Sequence, residues 1–137
     1  MDYSAMIPVG LRNEAVFIVE EEFTAAHIGS GSLRVLATPS MIGMMERVSH
    51  ALIAQQLPEG YSSVGALVDV RHLAPTPMNA RVRIFSQVVE VDGRKVTLHV
   101  EAWDDQEKVG EGTHQRVIID VQRFLKRVDE KQRQIKA

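Results

Sequence analysis

The chain has 137 residues, 45% of them hydrophobic and 25% charged, with a net charge of −2, the profile of one ordinary globular domain and not of the basic domain that nucleic acid selects. The absence of cysteine excludes disulfides, thiolate metal sites and a cysteine nucleophile. No stretch is apolar for long enough to cross a bilayer, and Met1-Asp2-Tyr3-Ser4 lacks the start of a secretory signal, so a cytoplasmic protein with no membrane partner is expected.

A single domain is expected over 1–137, with no internal repeat. Residues 1–13 carry Pro8 and Gly10 and read as an irregular lead-in. Residues 14–23 are strand-like through Ala15-Val16-Phe17-Ile18-Val19 and then turn acidic. Residues 25–32, with Gly29 and Gly31, read as a loop, and 33–37 as a short extended piece. The next segment predicts the one strong helix. Thr38 suits the N-cap and Pro39 the first helical position, where no backbone donor is needed. Met41, Met44, Met45, Val48, Ala51 and Leu52 recur at helical spacing, with Ile42, Ser49 and Ile53 beside them. A helix apolar over so much of its circumference is expected to be largely enclosed. Pro58 and Gly60 end it.

The remainder of the chain reads mostly as β-structure. A long run covers 63–74 and is broken at Pro75-Thr76-Pro77. Strands at 80–91 and 94–103 join at Asp92-Gly93, a strong hairpin signal. Val96, Leu98, Val100 and Ala102 alternate with Thr97, His99, Glu101 and Trp103, the pattern of a half-buried antiparallel strand. A last strand is expected over 108–121. The polar residues from 123 on, with the tail proper at 125–137, form a short helix or fray. The fold class is therefore α+β: one strand, one long helix, then four antiparallel strands with a face that must bury the helix.

Several side chains on this frame could carry chemistry. Glu46 lies eight positions into the helix, beside Ile42, Ser49 and Ile53, where partial desolvation makes a carboxylate a better base. Its bland role is a rim glutamate paired with Arg47 or Arg71, or solvated. Thr38 is explained by capping alone, although a hydroxyl at a helix start also lies near free N–H groups that can hold an oxyanion. His72 continues the alternation Ala66, Val68, Val70; a lone histidine on such a face is more often a core or rim residue than a catalyst. Gly65 breaks an apolar strand, marking a bulge or a close backbone approach. His114 and Arg116 share one face of the last strand. Arg116 could hold a phosphate or carboxylate, but pairing with a neighbouring acid is the favoured role. His27, His50 and His99 have no metal-binding spacing, so no metal is expected. No phosphate loop, dinucleotide fingerprint or Gly-x-Ser-x-Gly elbow is present.

Taken together, Val35-Leu36-Ala37-Thr38 followed by Met41, Gly43, Met45 and Glu46, then Val64-Gly65, then His72-Leu73-Ala74-Pro75-Thr76-Pro77, then Gly110-x-Gly-Thr-His-x-Arg116 resemble the fluoroacetyl-CoA thioesterase family of hotdog-fold acyl-CoA thioesterases. The likeness runs from about Val35 to Phe124. It implies the hotdog fold, a homodimer, and hydrolysis of an acyl-CoA thioester, with CoA as part of the substrate and no separate cofactor. It also implies a catalytic group at Thr38, Glu46 and His72, with Gly65 and Arg116 at the substrate site. Either Thr38 attacks the carbonyl, or Glu46 and Thr38 orient a water while His72 polarises or protonates. Members that select fluoroacetyl-CoA carry an aromatic lid segment before the threonine motif. Here residues 25–33 are shorter and lack phenylalanine, so a small or medium acyl-CoA is expected in place of fluoroacetyl-CoA. Three other functions stay open: a hotdog protein that binds acyl-CoA or a small ligand without turning it over, a hydratase or dehydratase, and a structural dimerisation module.

Overall fold

The computed structural model describes residues 2–135. Five antiparallel strands, β1 (Arg12–Ile18), β2 (Tyr61–His72), β3 (Arg81–Asp92), β4 (Lys95–Trp103) and β5 (Lys108–Asp120), form one sheet in the order β1-β3-β4-β5-β2. The long helix, α3 (Thr38–Ala54), packs on one face of it. Shorter helices stand at α1 (Tyr3–Met6) and α2 (Ala25–Ile28), and α4 (Val121–Gln134) follows the last strand. The α+β architecture expected from the pattern, one helix against an antiparallel sheet, is the one found. No helix among the described residues is long and apolar enough to cross a membrane.

The helical stripe does what its spacing predicts. Met41, Met44, Met45, Val48, Leu52 and Ile53 are all buried. The first four meet Val82, Ile84, Val100, Ala102 and Val109 from the sheet, while Leu52 and Ile53 join a second cluster with Ile7, Val88, Val96, Leu98 and Ile118. Burial of each such side chain stabilises by about 1.5–3 kcal/mol. The helix is not enclosed all round, because Arg47 and His50 face solvent.

Local assignments differ in three places. The lead-in is not irregular: Asp2 caps α1, and β1 begins at Arg12 and ends at Ile18, before the acidic run. That run forms a 3-10 turn at Glu21–Phe23. The segment read as a loop holds one helical turn, capped by Thr24 and closed by Gly29 at φ 88°. The tail takes the helical form of the two expected for it as far as Gln134, and the first turn of that helix is capped by Asp120.

Two features of β2 position the site. It is an edge strand, paired on one side with β5 only. Its register with β5 shifts between Gly65 and Leu67, so one extra residue is inserted there. Side chains alternate along a strand with period 2, and an inserted residue reverses that parity. Gly65 and His72 are an odd number of residues apart and would otherwise face opposite ways. Gly65 pairs with Arg116 and His72 with Gly110. Both strand positions therefore face the helix.

Candidate active site

Thr38 is the first residue of α3. The residue before it, Ala37, holds the cap position, and no side chain caps this helix. The capping role expected for Thr38 is thus corrected. Isolated bridges Thr24↔Leu36 and Val35↔Pro77 pin the entering chain, and the hydroxyl turns to His72, with Thr38 Oγ1 2.8 Å from His72 Nδ1. The other ring nitrogen, Nε2, is buried without a hydrogen-bond partner. Burial lowers the His72 pKa below its ordinary value, because an imidazolium would have to desolvate its charge. The ring is neutral at pH 7. Thr38 and His72 line an open cavity of about 380 Å3 with Ala25, Ser30, Val35 and Leu73.

Glu46 stands two turns further along α3, about 12 Å at 1.5 Å per residue. It lines a different cavity, of about 460 Å3, with Phe23, Ser40, Gly43, Met44 and Arg116. Neither bland partner is taken: Arg47 stacks 5.2 Å from the Phe17 ring, and no ion pair joins Glu46 to Arg71 among the described residues. The carboxylate lies against the β2 backbone at Gly65. A Cβ built there would stand 2.9 Å from Glu46 Oε2, so any larger residue would push the carboxylate away. The glycine serves both roles considered for it, since it adjoins the bulge and admits this close approach.

Arg116 is only 6% exposed, on β5 beside His114 at 1%. Its Nε donates to Ser63 Oγ at 2.9 Å and its Nη2 to the Ser63 carbonyl at 3.0 Å. The His114 Nδ1 lies 2.8 Å from the Leu67 carbonyl. A carbonyl only accepts, so Nδ1 carries the proton and Nε2 accepts from Arg116 Nη1 at 3.2 Å. Burial pushes the His114 pKa down, as does the adjoining guanidinium, against the opposing pull of the Leu67 hydrogen bond. Burial also weakens proton binding by Arg116, and the Glu46 charge counters it. The sequence favoured a bland ion pair for Arg116. It instead clamps the two sides of the β2 bulge, Ser63 before and Leu67 through His114 after, and presents its charge to Glu46. Ser63 and His114 were missed as supports. The signal available was the shared face of His114 and Arg116 opposite a glycine.

The structure thus gathers the five predicted residues into two groups, Thr38 with His72, and Glu46 with Gly65 and Arg116. One further cluster has ligand-like spacing among the described residues. His99, Glu101 and Glu111 offer atoms within 4.8 Å of one another. Lys108 Nζ already sits 2.8 Å from Glu111 and 3.8 Å from Glu101, where it supplies the positive charge the carboxylates need.

Comparison with known proteins shows the family and the fold. The sequence model of the fluoroacetyl-CoA-specific thioesterase family matches residues 19–122. A fluoroacetyl-CoA thioesterase of Streptantibioticus cattleyicolor is 32% identical over 129 residues, covering 90% of this chain and 93% of the relative. A hot-dog-like protein from Thermanaerovibrio acidaminovorans superposes with a TM-score of 0.89 at 28% identity, covering 96% of this chain and 97% of that one. A variant of a fluoroacetyl-CoA-specific thioesterase in complex with fluoroacetate and CoA superposes with a TM-score of 0.82 at 31% identity, covering 86% and 99%.

Proposed function

We propose, from the premise that this chain belongs to the fluoroacetyl-CoA-specific thioesterase family, that it hydrolyses a small or medium acyl-CoA thioester to the free acid and CoA. The observation that carries the reading is the Thr38 hydroxyl held by a neutral imidazole in place of its expected cap. A hydroxyl paired with a neutral base is an activated nucleophile. Thr38 Oγ1 attacks the thioester carbonyl, its proton passes to His72 Nδ1, and the C–S bond breaks as CoA sulfur takes that proton. The acyl group is left on Thr38. Glu46 then accepts a proton from water as the water attacks the acyl carbon, and the Thr38 oxygen leaves and takes that proton from Glu46, which restores both groups. The first-turn N–H groups of α3 are suited to the developing oxyanion.

These steps require Glu46 nearer to Thr38 than the helix of one copy allows. The β2 edge supports a homodimer as the answer. This edge is 12 residues long and unpaired on its outer side, with Leu67 42% and Val68 40% exposed. A long apolar edge of this kind invites another strand. A second copy paired antiparallel about a two-fold axis near Val68 and Asp69 would set His72 of one copy opposite Gly65 of the other. Each Thr38–His72 pair would then face the Glu46 of its partner. The acyl group would occupy the Glu46 cavity, where Phe23 is the one phenylalanine among the lining residues. Without phenylalanine at 25–33, that cavity supports a plain acyl substrate better than fluoroacetyl. Such chemistry suits the cytoplasm, where CoA thioesters are met.

Release of CoA thiol from a panel of acyl-CoAs tests the activity. The shared site is tested by mixing two inactive variants, Thr38→Val and Glu46→Gln, after unfolding them together. In a two-fold dimer with composite sites, half the molecules become mixed and each carries one intact site. About a quarter of wild-type turnover should return. A mixture that stays inactive would place all three groups in one copy and refute the composite site.

A further inference from the structure

Gly43 stands well inside α3, where glycine destabilises a helix relative to alanine because it loses more backbone freedom on folding. Four of the nine glycines adopt positive φ, and at four others a Cβ would come within 3.2 Å of a neighbour. Gly43 has neither reason. It lies within the helix without a positive φ, and a Cβ built on it would meet no atom within 4 Å. Nothing in one copy of the chain requires a glycine here.

Its position supplies a reason. Gly43 lines the 460 Å3 cavity of Glu46. Successive helix residues turn by about 100°, which places Gly43 about 60° around α3 from Glu46 and Met44 about 100° further in the same sense. The bare backbone therefore forms a saddle between the carboxylate and the apolar end of the cavity, at Met44 and Phe23. Met44 is buried in the core. Phe23 is pinned beside the helix start by Ala37 N, which donates to its carbonyl at 2.9 Å. Arg47, the neighbour whose side chain could cover the saddle, is drawn aside, its guanidinium 5.2 Å from the Phe17 ring.

We infer that Gly43 sets the length of the acyl group, and that the substrate carries an apolar chain of medium length. The chain leaves the reacting carbon at Glu46, crosses Gly43 and ends against Met44 and Phe23. This assignment rests on the thioesterase reading and narrows its substrate from a small or medium acyl group to a medium one. The size agrees. Cavities of about 300–1,000 Å3 hold whole drug-sized ligands, so this one is far larger than a two-carbon acyl group fills. A longer apolar chain removes the Met44 and Phe23 surfaces from water, which is favourable in proportion to the area covered. A hydroxylated or charged chain would be desolvated at that end without a hydrogen-bond partner there.

The variants Gly43→Ala and Gly43→Val test the inference, with hydrolysis of acetyl-, butyryl- and hexanoyl-CoA measured for each. The ratio of kcat/KM for hexanoyl-CoA to that for acetyl-CoA should fall by about tenfold in Gly43→Ala and about 100-fold in Gly43→Val, the scale on which an apolar pocket responds to a methyl group or two. Butyryl-CoA should fall between the two. Gly43→Ala should at the same time raise Tm by about 2–4 °C, because its methyl enters open space and the helix gains. A glycine kept for packing against a second copy would give the reverse, a lower Tm with the ratio unmoved. An unchanged ratio overturns the inference while leaving hydrolysis intact. A lower Tm in Gly43→Ala also overturns it, because protein and not substrate would then cover the saddle.

Calorimetric titration with the thioethers ethyl-CoA and hexyl-CoA, which cannot be hydrolysed, reads the same groove without turnover. Wild type should bind hexyl-CoA about 10–100-fold more tightly than ethyl-CoA, and Gly43→Val should lose that advantage. If no acyl-CoA is hydrolysed yet this pattern is seen, the groove stands and the thioesterase reading falls. Equal affinities for the two thioethers in wild type, or an advantage that Gly43→Val keeps, overturn the groove.

Discussion

The two halves of the candidate site are built differently. Thr38 and His72 are joined by one hydrogen bond at the lip of an open cavity, with Thr38 exposed. Glu46 lies instead over a dense assembly: Arg116, Ser63, His114 and the Leu67 carbonyl are linked by four hydrogen bonds, and Arg116 and His114 are almost fully buried. The first half has little besides chemistry to do. The second also holds the bulge that sets the parity of β2. Substitutions should therefore separate, with rate alone affected at the first and both rate and stability at the second, except at Glu46 itself, whose carboxylate makes no hydrogen bond or ion pair within this assembly.

Glu46→Gln gives the largest effect on rate. It keeps the shape and removes the base, so turnover should fall by about 10²–10⁴-fold, the usual worth of a general base, with only a small drop in Tm from the lost charge that counters buried Arg116. Thiol release and a melting curve on the same sample check both. Full activity in this variant would remove Glu46 from the mechanism.

Arg116→Met probes the support beneath it. It leaves the Ser63 carbonyl and His114 Nε2 buried without their donor, a loss of about 2–3 kcal/mol, or roughly 5–10 °C in Tm for a domain of this size. A melting temperature equal to wild type would break the contrast between the halves, because the clamp would then be dispensable.

Acidification acts on both halves through their histidines. His72 and His114 are each held below the ordinary histidine value by burial. Below about pH 6.5 the unfolded chain binds protons that the native protein resists. Stability is therefore present above that pH and declines as pH falls toward the lowered native values. The acid limb of kcat/KM, which reports His72 in the free enzyme, should lie below about pH 6.5. A limb at or above that pH would contradict a buried neutral imidazole at Nδ1.

The smallest effect sharpens the comparison most. Were Thr38 the helix cap, Thr38→Ala would cost about 1 kcal/mol. With no capping bond in the structure, the loss should stay below about 0.5 kcal/mol while turnover collapses. Urea unfolding distinguishes the two values.

Much of the fold was legible because it is written in local periodicity. The stripe from Met41 to Leu52, the alternation from Val96 to Ala102 and the Asp92-Gly93 turn each report on neighbours within a few residues, and the order of one strand, one helix and four strands follows from them. Thr-Pro at 38–39 misled for the same reason. It is a sound local capping signal, overridden by bridges from Thr24 and Pro77, which lie far away in sequence.

What only the tertiary structure decided is how distant segments register. Counting by twos from His72 places Ala66 and Val64 toward the helix, and nothing local reports the residue inserted between Gly65 and Leu67. Arg116 reads as the partner of a neighbouring acid until Ser63, 53 positions away, is found to accept two of its hydrogen bonds. The separation of Thr38 from Glu46 follows from the rise of the helix alone, but the place of β2 at an edge of the sheet does not. Periodicity records which face of an element is apolar. The partner that each polar group finds across that face is fixed by register and packing, where the whole chain is folded together.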